Sequence, residues 1–593
     1  MASTCANHSS EGESCLKPAP LSCKNCRLVS YCGSECQREH WAIHKKDCKC
    51  AVMSETWKPA WTIENRTPDF VQEVAKSFEF GGSKHFWGNT PAIDVLRLDK
   101  NEGISYDKDL NVLFAGKSEE TLFWLDRPRL INMYLPLASG DLRNVIKTIT
   151  SLPDSFDKEL YVVLNDKEFD VFARNAIMLL LCLVIVEPEE AASAITHIWY
   201  SSLIQEAISI SFRRRSVLGL PRIEGNSEDA LQTTWEFETS SLQMTLSNDN
   251  WKRLLNFLKV PAGLTVDRAN EIRTAVTLAK ECRDFRDRKY STMPRPHRLA
   301  EERFREDGIM VPFGGSRKPY TVPNPTMFQN PNQWPLPYTA NPLHGWDMYE
   351  LSAKSSSPAT SDRYGILQAH VQTLLQQFHS RLRTHSCSFQ LWNLNATELP
   401  GYLKKGSFAR IEMANICDVS YPGCARSLVD LSPLLQRPSE NPHATILMLF
   451  MNATREKFTT QDEIQETLRL VPVLSLAGFV RPPRPGLEPY GPDFMLFNRA
   501  LGFYMDLETY FDRYAKEQRF DQVGSFCGME MKEAHTIVDK WLRAPKLRPG
   551  QPGSRQEFDM LVQSDHGGHE RYVEWKSVGS SMLAMLMSMS LGG

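Results

Sequence analysis

The chain has 593 residues, of which 42% are apolar and 23% charged, and its formal net charge is −3 at pH 7. This length exceeds what one hydrophobic core supports and suggests roughly three or four domains' worth of structure. The mildly acidic balance argues against non-specific nucleic-acid binding, and the longest apolar run, 176–186, is far shorter than the roughly 20 residues that span a bilayer.

Half of the 14 cysteines lie within the first 48 residues, at spacings typical of zinc ligands. With one histidine they supply eight candidate ligands: Cys5, Cys15, Cys23, Cys26, Cys32, Cys36, His44 and Cys48. Thiolate and imidazole suit Zn²⁺, and eight of them make two closed tetrahedral sites. Because closed sites leave no position for water, we expect two structural zinc ions.

A disulfide framework is the alternative interpretation of these cysteines. It is disfavoured because no secretory signal precedes them and because the cysteines beyond residue 50 are scattered singly. We therefore expect a reducing compartment, either cytoplasm or nucleus, and no membrane association.

The run YCGSECQREHWAIHKKDC at 31–48 resembles the second half of a MYND-type zinc finger. The resemblance implies interleaved ligands, with Cys5, Cys15, Cys32 and Cys36 on one zinc ion and Cys23, Cys26, His44 and Cys48 on the other. The family usually opens with Cys-x2-Cys, whereas nine residues separate Cys5 from Cys15 here. His8 is the alternative ligand, but Cys15 keeps the usual gap to Cys23.

The same resemblance implies a peptide-binding function for the finger. Fingers of this type bind short proline-containing peptides through the Gln and Trp of a CQxxxW run, which are Gln37 and Trp41 here. Alternatively, Trp41 packs inside a finger that is too small for much other core.

The segment that follows the finger has the pattern of a nucleotide-binding sheet. A strand is predicted over 110–115 and another over 160–164. The run that contains the second strand ends on Asp166 and is followed by a helix over 169–186. Gly140 and Asp141 lie in a turn that opens a helix, where backbone N–H groups bind phosphates and Asp166 could bind ribose hydroxyls. Alternatively, Gly140-Asp141 is only a capping turn and Asp166 an ordinary strand-end carboxylate.

Several runs after residue 65 resemble the uncharacterised domain of fungal MYND proteins, which also opens the axonemal dynein assembly factors. These runs are 86–103, 139–153, 165–175, 409–418, 441–454 and 572–575. The resemblance implies a Rossmann-like fold, distantly similar to S-adenosylmethionine-dependent methyltransferases, without a settled activity. We therefore interpret the chain as an interaction adaptor, with a methyltransferase-like enzyme as the alternative.

One stretch departs from the pattern of these relatives, which run a strand like LNVLFA directly into SGDLRN. Here residues 116–137 separate the two. A connection of 2–6 residues is usual between a strand and the next helix. The stretch is either a retained intron or a genuine surface insertion.

The predicted organisation is a finger at 1–50, the first half of a Rossmann-like domain at 66–190, an insertion at 191–360, and the second half with a C-terminal helical region at 361–593. Within the insertion, 190–290 reads as mostly helical, and the Pro- and aromatic-rich window 293–347 as an ordered loop. A helix is predicted over 361–383, followed by strands at 388–394, 408–416 and 444–451. Because buried parallel strands must be covered on both faces, we expect all five strands to join one mainly parallel sheet.

Overall fold

A computed structural model describes residues 4–7, 15, 17–72, 80–116, 140–210, 230–419, 422–481, 490–564, 567–579 and 582. The predicted insertion at 116–137 lies outside the described residues, except for Gly116, and so does His8. No helix in the described part of the chain combines the length and apolar character that a bilayer crossing requires.

The finger consists of one short hairpin and one helix. Strand β1 (Leu21–Ser22) pairs with β2 (Ser30–Tyr31) in antiparallel fashion, and helix α1 spans Ser34–Cys48. Arg27 turns the hairpin with a φ of 53° and donates its backbone N–H to the carbonyl of Cys23. This tight turn holds the candidate ligands Cys23 and Cys26 close together.

The body is built around strands that come from widely separated parts of the chain. They are β3 (Leu110–Ala115), β4 (Leu160–Asn165), β5 (Leu203–Gln205), β6 (Leu231–Glu236), β7 (Ser240–Leu246), β8 (Tyr320–Pro323), β9 (Cys387–Trp392), β10 (Arg410–Met413), β11 (Thr445–Phe450), β12 (Met529–Met531) and β13 (Arg571–Ser577).

Nine of these strands form one sheet in the order β12-β13-β11-β10-β3-β4-β9-β7-β6. The pairs from β11 to β7 are parallel, and the pairs at both margins are antiparallel. The predicted α/β class and the single mainly parallel sheet are thus confirmed. Strand β4 follows β3 in the chain and lies on one side of it, whereas β10 comes much later and lies on the other side. The topological switch point of the sheet therefore lies between β3 and β10.

Helices cover both faces of this sheet. Those of seven residues or more in the body are α2 (Arg143–Thr150), α3 (Phe169–Val184), α4 (Pro188–Tyr200), α5 (Asn248–Asn256), α6 (Val266–Thr277), α7 (Arg283–Ser291), α8 (Arg295–Asp307), α9 (Met348–Lys354), α10 (Arg363–Thr384), α11 (Gly423–Leu431), α12 (Thr460–Leu476), α13 (Pro492–Tyr504), α14 (Leu507–Glu517), α15 (Phe520–Cys527) and α16 (Ser554–Gln563). Asp362 caps α10 by accepting the N–H of Gly365 at 2.9 Å, as its position predicts.

The prediction that 190–290 is mostly helical is incomplete. β6 and β7 form a hairpin in this segment, and β7 adds to the central sheet beside β9. Burial alternates strictly along β7, as expected for a strand with one face on the core. The insertion is therefore part of the sheet rather than only a helical layer beside it.

The Pro- and aromatic-rich window is an ordered loop, as predicted. Its aromatic side chains are buried, among them Phe328, Trp334 and Trp346, and the indole N–H of Trp346 donates to the hydroxyl of Tyr200 at 3.0 Å. A flexible linker would not bury such side chains, because their burial must offset the entropy of ordering the loop.

The finger packs directly on the body. The backbone N–H of Ser361 donates to the carbonyl of Arg27 at 3.0 Å, and the guanidinium of Arg303 lies 2.6 Å from the carboxylate of Asp47. Ala6 and Val29 in the finger lie against Gly314 of the body so closely that a methyl group on Gly314 would be 2.6 Å from the Cβ of Ala6. The finger shares one apolar core with the body.

Candidate functional site

The eight candidate ligands form two groups of four. The sulfur atoms of Cys5, Cys15, Cys32 and Cys36 make one group, and the ligand atoms of Cys23, Cys26, His44 and Cys48 make the other. Within each group all ligand atoms lie within 4.8 Å of one another. Chain order alternates between the groups, which produces the cross-brace implied by the family resemblance.

The distances within each group match a tetrahedral zinc site. Sulfur ligands 2.3 Å from a zinc ion lie about 3.8 Å from one another in a tetrahedron. Here Cys15 and Cys32 are 3.7 Å apart, Cys23 and Cys48 are 3.9 Å apart, and Cys26 lies 3.4 Å from Nε2 of His44. The two clusters fit two structural zinc ions. All 14 cysteines are free thiols, which disagrees with a disulfide framework.

Helix α1 supplies one ligand pair because of its periodicity. His44 and Cys48 are four residues apart, so both side chains project from the same face, and both are buried. Cys32 and Cys36 bracket the start of the same helix, with their sulfur atoms 3.4 Å apart. The helix therefore contributes ligands to both metal sites.

Gln37 and Trp41 lie on the same side of α1 as the ligands His44 and Cys48, at its edge. They are four residues apart and hence neighbours on the helix surface. Trp41 remains 38% exposed, with its ring edge-on to His44 at 5.9 Å and the ammonium group of Lys49 5.8 Å from the ring centre. Gln37 is half-buried. The indole is held in place from below and open to solvent above.

Gly140, Asp141 and Asp166 meet at the carboxyl edge of the sheet near the switch point. They line a small cavity of about 30 Å³. Asp141 is buried in an ion pair with Arg143 at 2.5 Å and also accepts the N–H of Gly88 at 2.7 Å. Asp166 is 3% exposed and its Oδ1 accepts the N–H of Glu168 at 2.8 Å.

Gly116 and Gly140, which flank the stretch 117–139, lie beside the same carboxylate. A methyl group on Gly116 would lie 2.8 Å from Oδ2 of Asp166, and one on Gly140 would overlap the same atom. Gly116 and Gly140 therefore lie within a few ångströms of each other. This geometry is compatible with a direct strand-to-turn connection.

Glu412 is the member of this site that the sequence analysis missed. It lies on β10, opposite Phe114 of the neighbouring strand, and lines the same cavity. It is 5% exposed, and no described residue donates a hydrogen bond to its carboxylate. Burial raises the pKa of Glu412 to about 7, although the guanidinium of Arg143 opposes the rise. A buried acid within an apolar strand is a signal that could have identified it.

This cavity has the polar lining of a binding site but little volume. Three carboxylates and one guanidinium surround it, and Arg143 is fully engaged by Asp141 and by the carbonyl and hydroxyl of Thr90. A space of about 30 Å³ holds about one water molecule, far less than a nucleoside requires.

Two family profiles match this chain. One described as "MYND finger" covers residues 13–48, and one described as "Domain of unknown function (DUF4470)" covers residues 86–204. The chain therefore carries a MYND finger, which is a protein-interaction module, followed by a DUF4470 domain. No solved structure matches the chain.

Curated relatives match over short stretches. N-lysine methyltransferase SMYD2 of Bos taurus is 35% identical over 71 residues, covering 10% of this chain and 16% of the relative. Histone-lysine N-methyltransferase ASHR1 of Arabidopsis thaliana is 40% identical over 151 residues, covering 24% and 28%. Dynein axonemal assembly factor 3 of Danio rerio is 30% identical over 111 residues, covering 19% and 18%. The chain thus spans less than a third of the length of each of these relatives.

Proposed function

We propose that this chain is an interaction adaptor whose zinc-organised finger binds proline-containing segments of other proteins. The observation that carries the proposal is the exposed indole of Trp41, one helical turn after Gln37, on the same helix that supplies zinc ligands. Zinc fixes the helix, and the helix presents the two side chains together.

The chemistry of this face suits a proline. A pyrrolidine ring packs flat on an indole, and proline-rich segments lose little entropy on binding because they are already extended. The amide of Gln37 can donate to a peptide carbonyl and accept from a peptide N–H. The ring of Trp41 needs little rearrangement, since contacts with His44 and Lys49 already orient it.

The test is binding of a fluorescein-labelled peptide containing two adjacent prolines, measured by anisotropy, with an all-alanine version as the reference ligand. Trp41→Ala and Gln37→Ala should each weaken binding at least tenfold while zinc content remains at two ions. Ile43→Ala is the matched control, because Ile43 is 60% exposed on the same helix but points away from Trp41. Equal affinity for the wild type and Trp41→Ala would refute the proposed face.

The methyltransferase-like alternative is supported by one observation. Gly140, Asp166 and Glu412 converge at the switch point, the edge where open α/β sheets bind ligands. The small cavity argues against it for the described residues. Isothermal titration with S-adenosylmethionine tests it: micromolar binding that Asp166→Ala abolishes supports an enzyme, and no binding leaves the adaptor function.

We place this adaptor in the cytoplasm or nucleus. Eight zinc ligands include seven thiolates, and a reducing compartment keeps them available to the metal. Fractionation of cells that express a tagged chain would test this placement.

A further inference from the structure

Exposed cations lie on both sides of Trp41 along helix α1. Arg38 precedes Trp41 by three residues and Lys45 follows it by four, and both side chains are exposed. Residues at these spacings are neighbours on the surface of a helix. A third cation, Lys49, lies just beyond the helix, with its ammonium group 5.8 Å from the centre of the Trp41 ring. The surface around the indole is therefore positively charged.

The carboxylates of α1 lie on other sides of the helix. Its three acidic residues are Glu35, Glu39 and Asp47. With 3.6 residues per turn, all three lie about 120° or more around the helix from Trp41, whereas Arg38 and Lys45 lie within about 60° of it. Glu39 accepts a hydrogen bond from the side-chain amide of Asn7 at 2.7 Å, and Asp47 accepts one from Arg303 at 2.6 Å. No carboxylate of the helix therefore offsets the positive charge beside the indole.

The three cations have no ionic partner within the described part of the chain. None of them forms an ion pair there, and none donates a hydrogen bond to a zinc ligand. With zinc bound, four thiolates give one metal site a charge of −2, and three thiolates give the other a charge of −1. These buried charges attract the cations from a distance but leave their N–H groups available to a ligand.

Helix stability explains only part of this charge pattern. The negative end of the helix dipole favours cations in the last turn, which contains Lys45 and Lys46. Lys46 serves this purpose as well as Lys45 does, but it lies about 140° around the helix from Trp41. Arg38 lies near the start of the helix, where the dipole does not favour a cation. A ligand that meets Trp41 would give Arg38 a partner.

We infer that the surface around Trp41 selects peptides that carry acidic residues beside the proline. This inference rests on the proposed function of the finger. An extended proline-rich peptide rises about 3.1 Å per residue, so a carboxylate one to three residues from the proline lies about 3–9 Å from it along the peptide. One helical turn advances about 5.4 Å, which places Arg38 and Lys45 within this range on either side of Trp41. A proline with acidic residues on both sides is the best match.

The expected preference is moderate and depends on salt. One exposed ion pair changes an affinity by about two- to fivefold, so two pairs together give a preference of about tenfold. Salt screens exposed charges, and the preference should therefore shrink as ionic strength rises. The stacking of proline on the indole involves no net charge and should persist.

Fluorescence anisotropy with three labelled peptides tests the inference. The peptides share a central pair of prolines and differ only in the flanking residues, which are Glu, Gln or Lys. In about 50 mM NaCl the wild type should bind the Glu peptide about tenfold more tightly than the Gln peptide, and the Lys peptide most weakly. In about 500 mM NaCl the three affinities should converge.

Substitutions on the two adjacent lysines locate the preference. Lys45→Gln should lower the ratio of Glu-peptide to Gln-peptide affinity by about two- to fivefold, and Arg38→Gln/Lys45→Gln should lower it to about two or less. Lys46→Gln removes the same charge from the neighbouring position of the same helix and should keep the wild-type ratio. Zinc content should remain at two ions in every variant, which excludes a folding defect as the cause.

The outcomes separate this inference from the proposed function. If the Gln peptide binds through Trp41 and the Glu peptide binds no more tightly, the inference is overturned and the proposed function stands. If none of the three peptides binds, both are wrong. A Lys46→Gln protein that loses the preference as Lys45→Gln does would reduce it to an effect of net charge and overturn the inference. Displacement of the Glu peptide by a lower concentration of a short DNA duplex would assign the cations to nucleic acid and also overturn it.

Discussion

The contact between finger and body predicts that Gly314→Val weakens zinc binding at a distance from the metal ligands. A Cβ on Gly314 would lie 2.6 Å from the Cβ of Ala6 and 3.2 Å from Cγ1 of Val29, well inside contact distance. Ala6 directly follows the zinc ligand Cys5, and both are buried. The finger must therefore shift or undock to accept the larger side chain.

The expected magnitude follows from overpacking and linkage. Forcing methyl groups into a packed contact costs about 1–3 kcal/mol. Because zinc binding and docking stabilise the same folded finger, the docking energy that is lost reappears as weaker metal affinity. A loss of about 2 kcal/mol corresponds to a roughly 30-fold weaker affinity for zinc.

The assay is competition for zinc with the chromogenic chelator 4-(2-pyridylazo)resorcinol, together with thermal unfolding of the same samples. Gly314→Val should lose its zinc to the chelator at a roughly 30-fold lower chelator concentration than the wild type does. Gly401→Val is the matched control, because nothing lies within 4 Å of a Cβ at Gly401. Identical zinc competition for the two variants would show that the finger is independent of the body and would refute the reasoning.

Three further predictions concern the metal ligands, the buried acid and the undescribed stretch. Cys15→Ser should lower the zinc count from two to one, whereas His8→Ala should leave it at two; the reverse result in atomic emission spectroscopy would assign His8 as the ligand. Glu412→Gln should raise the melting temperature at pH 8.5 but not at pH 4.5, because the folded protein retains the Glu412 proton up to a pKa of about 7 while the unfolded chain releases it near 4.5. The wild-type protein therefore loses stability as pH rises through this window, by about 3 kcal/mol in all. Glu281→Gln, on an exposed residue, is the control. An equal change in melting temperature of Glu412→Gln at both pH values would contradict the raised pKa of Glu412. Deleting 116–137 joins Ala115 to Ala138 and should stabilise the protein by about 2 kcal/mol, because the connection becomes shorter and Gly116 and Gly140 already lie beside the same carboxylate. A deletion variant that is unfolded without denaturant would show that the stretch is structural.

The elements that the sequence predicted well are those specified by local pattern. The strand over 110–115 agrees with β3, because a run of apolar β-formers ends at a glycine. The strand predicted over 408–416 is shorter, since β10 covers only Arg410–Met413. Phe408 pairs with Leu435 outside the regular ladder, and Asn415–Cys417 is a 3-10 turn. The two groups of zinc ligands could be predicted because the ligands within each pair are separated by only a few residues along the chain.

What sequence reasoning missed depends on contacts between distant segments. Glu412 belongs to the cavity because Arg143 and Asp141, about 270 residues earlier, pack against its strand. The finger packs closely against Gly314, and the need for glycine there becomes visible only once Ala6 is known to lie beside it. The hairpin of β6 and β7 was missed although Leu242, Met244 and Leu246 alternate with polar residues in β7, and in β6 the pair Thr233-Thr234 interrupts the alternation.

We propose that two zinc ions organise a finger whose exposed Trp41 binds a proline-containing peptide. Native mass spectrometry of the chain with the di-proline peptide tests it most directly, since one spectrum reports both metal and peptide. We expect two zinc ions and one bound peptide for the wild type, and two zinc ions without peptide for Trp41→Ala. One zinc ion or none in the wild type, or undiminished peptide binding by Trp41→Ala, would contradict it.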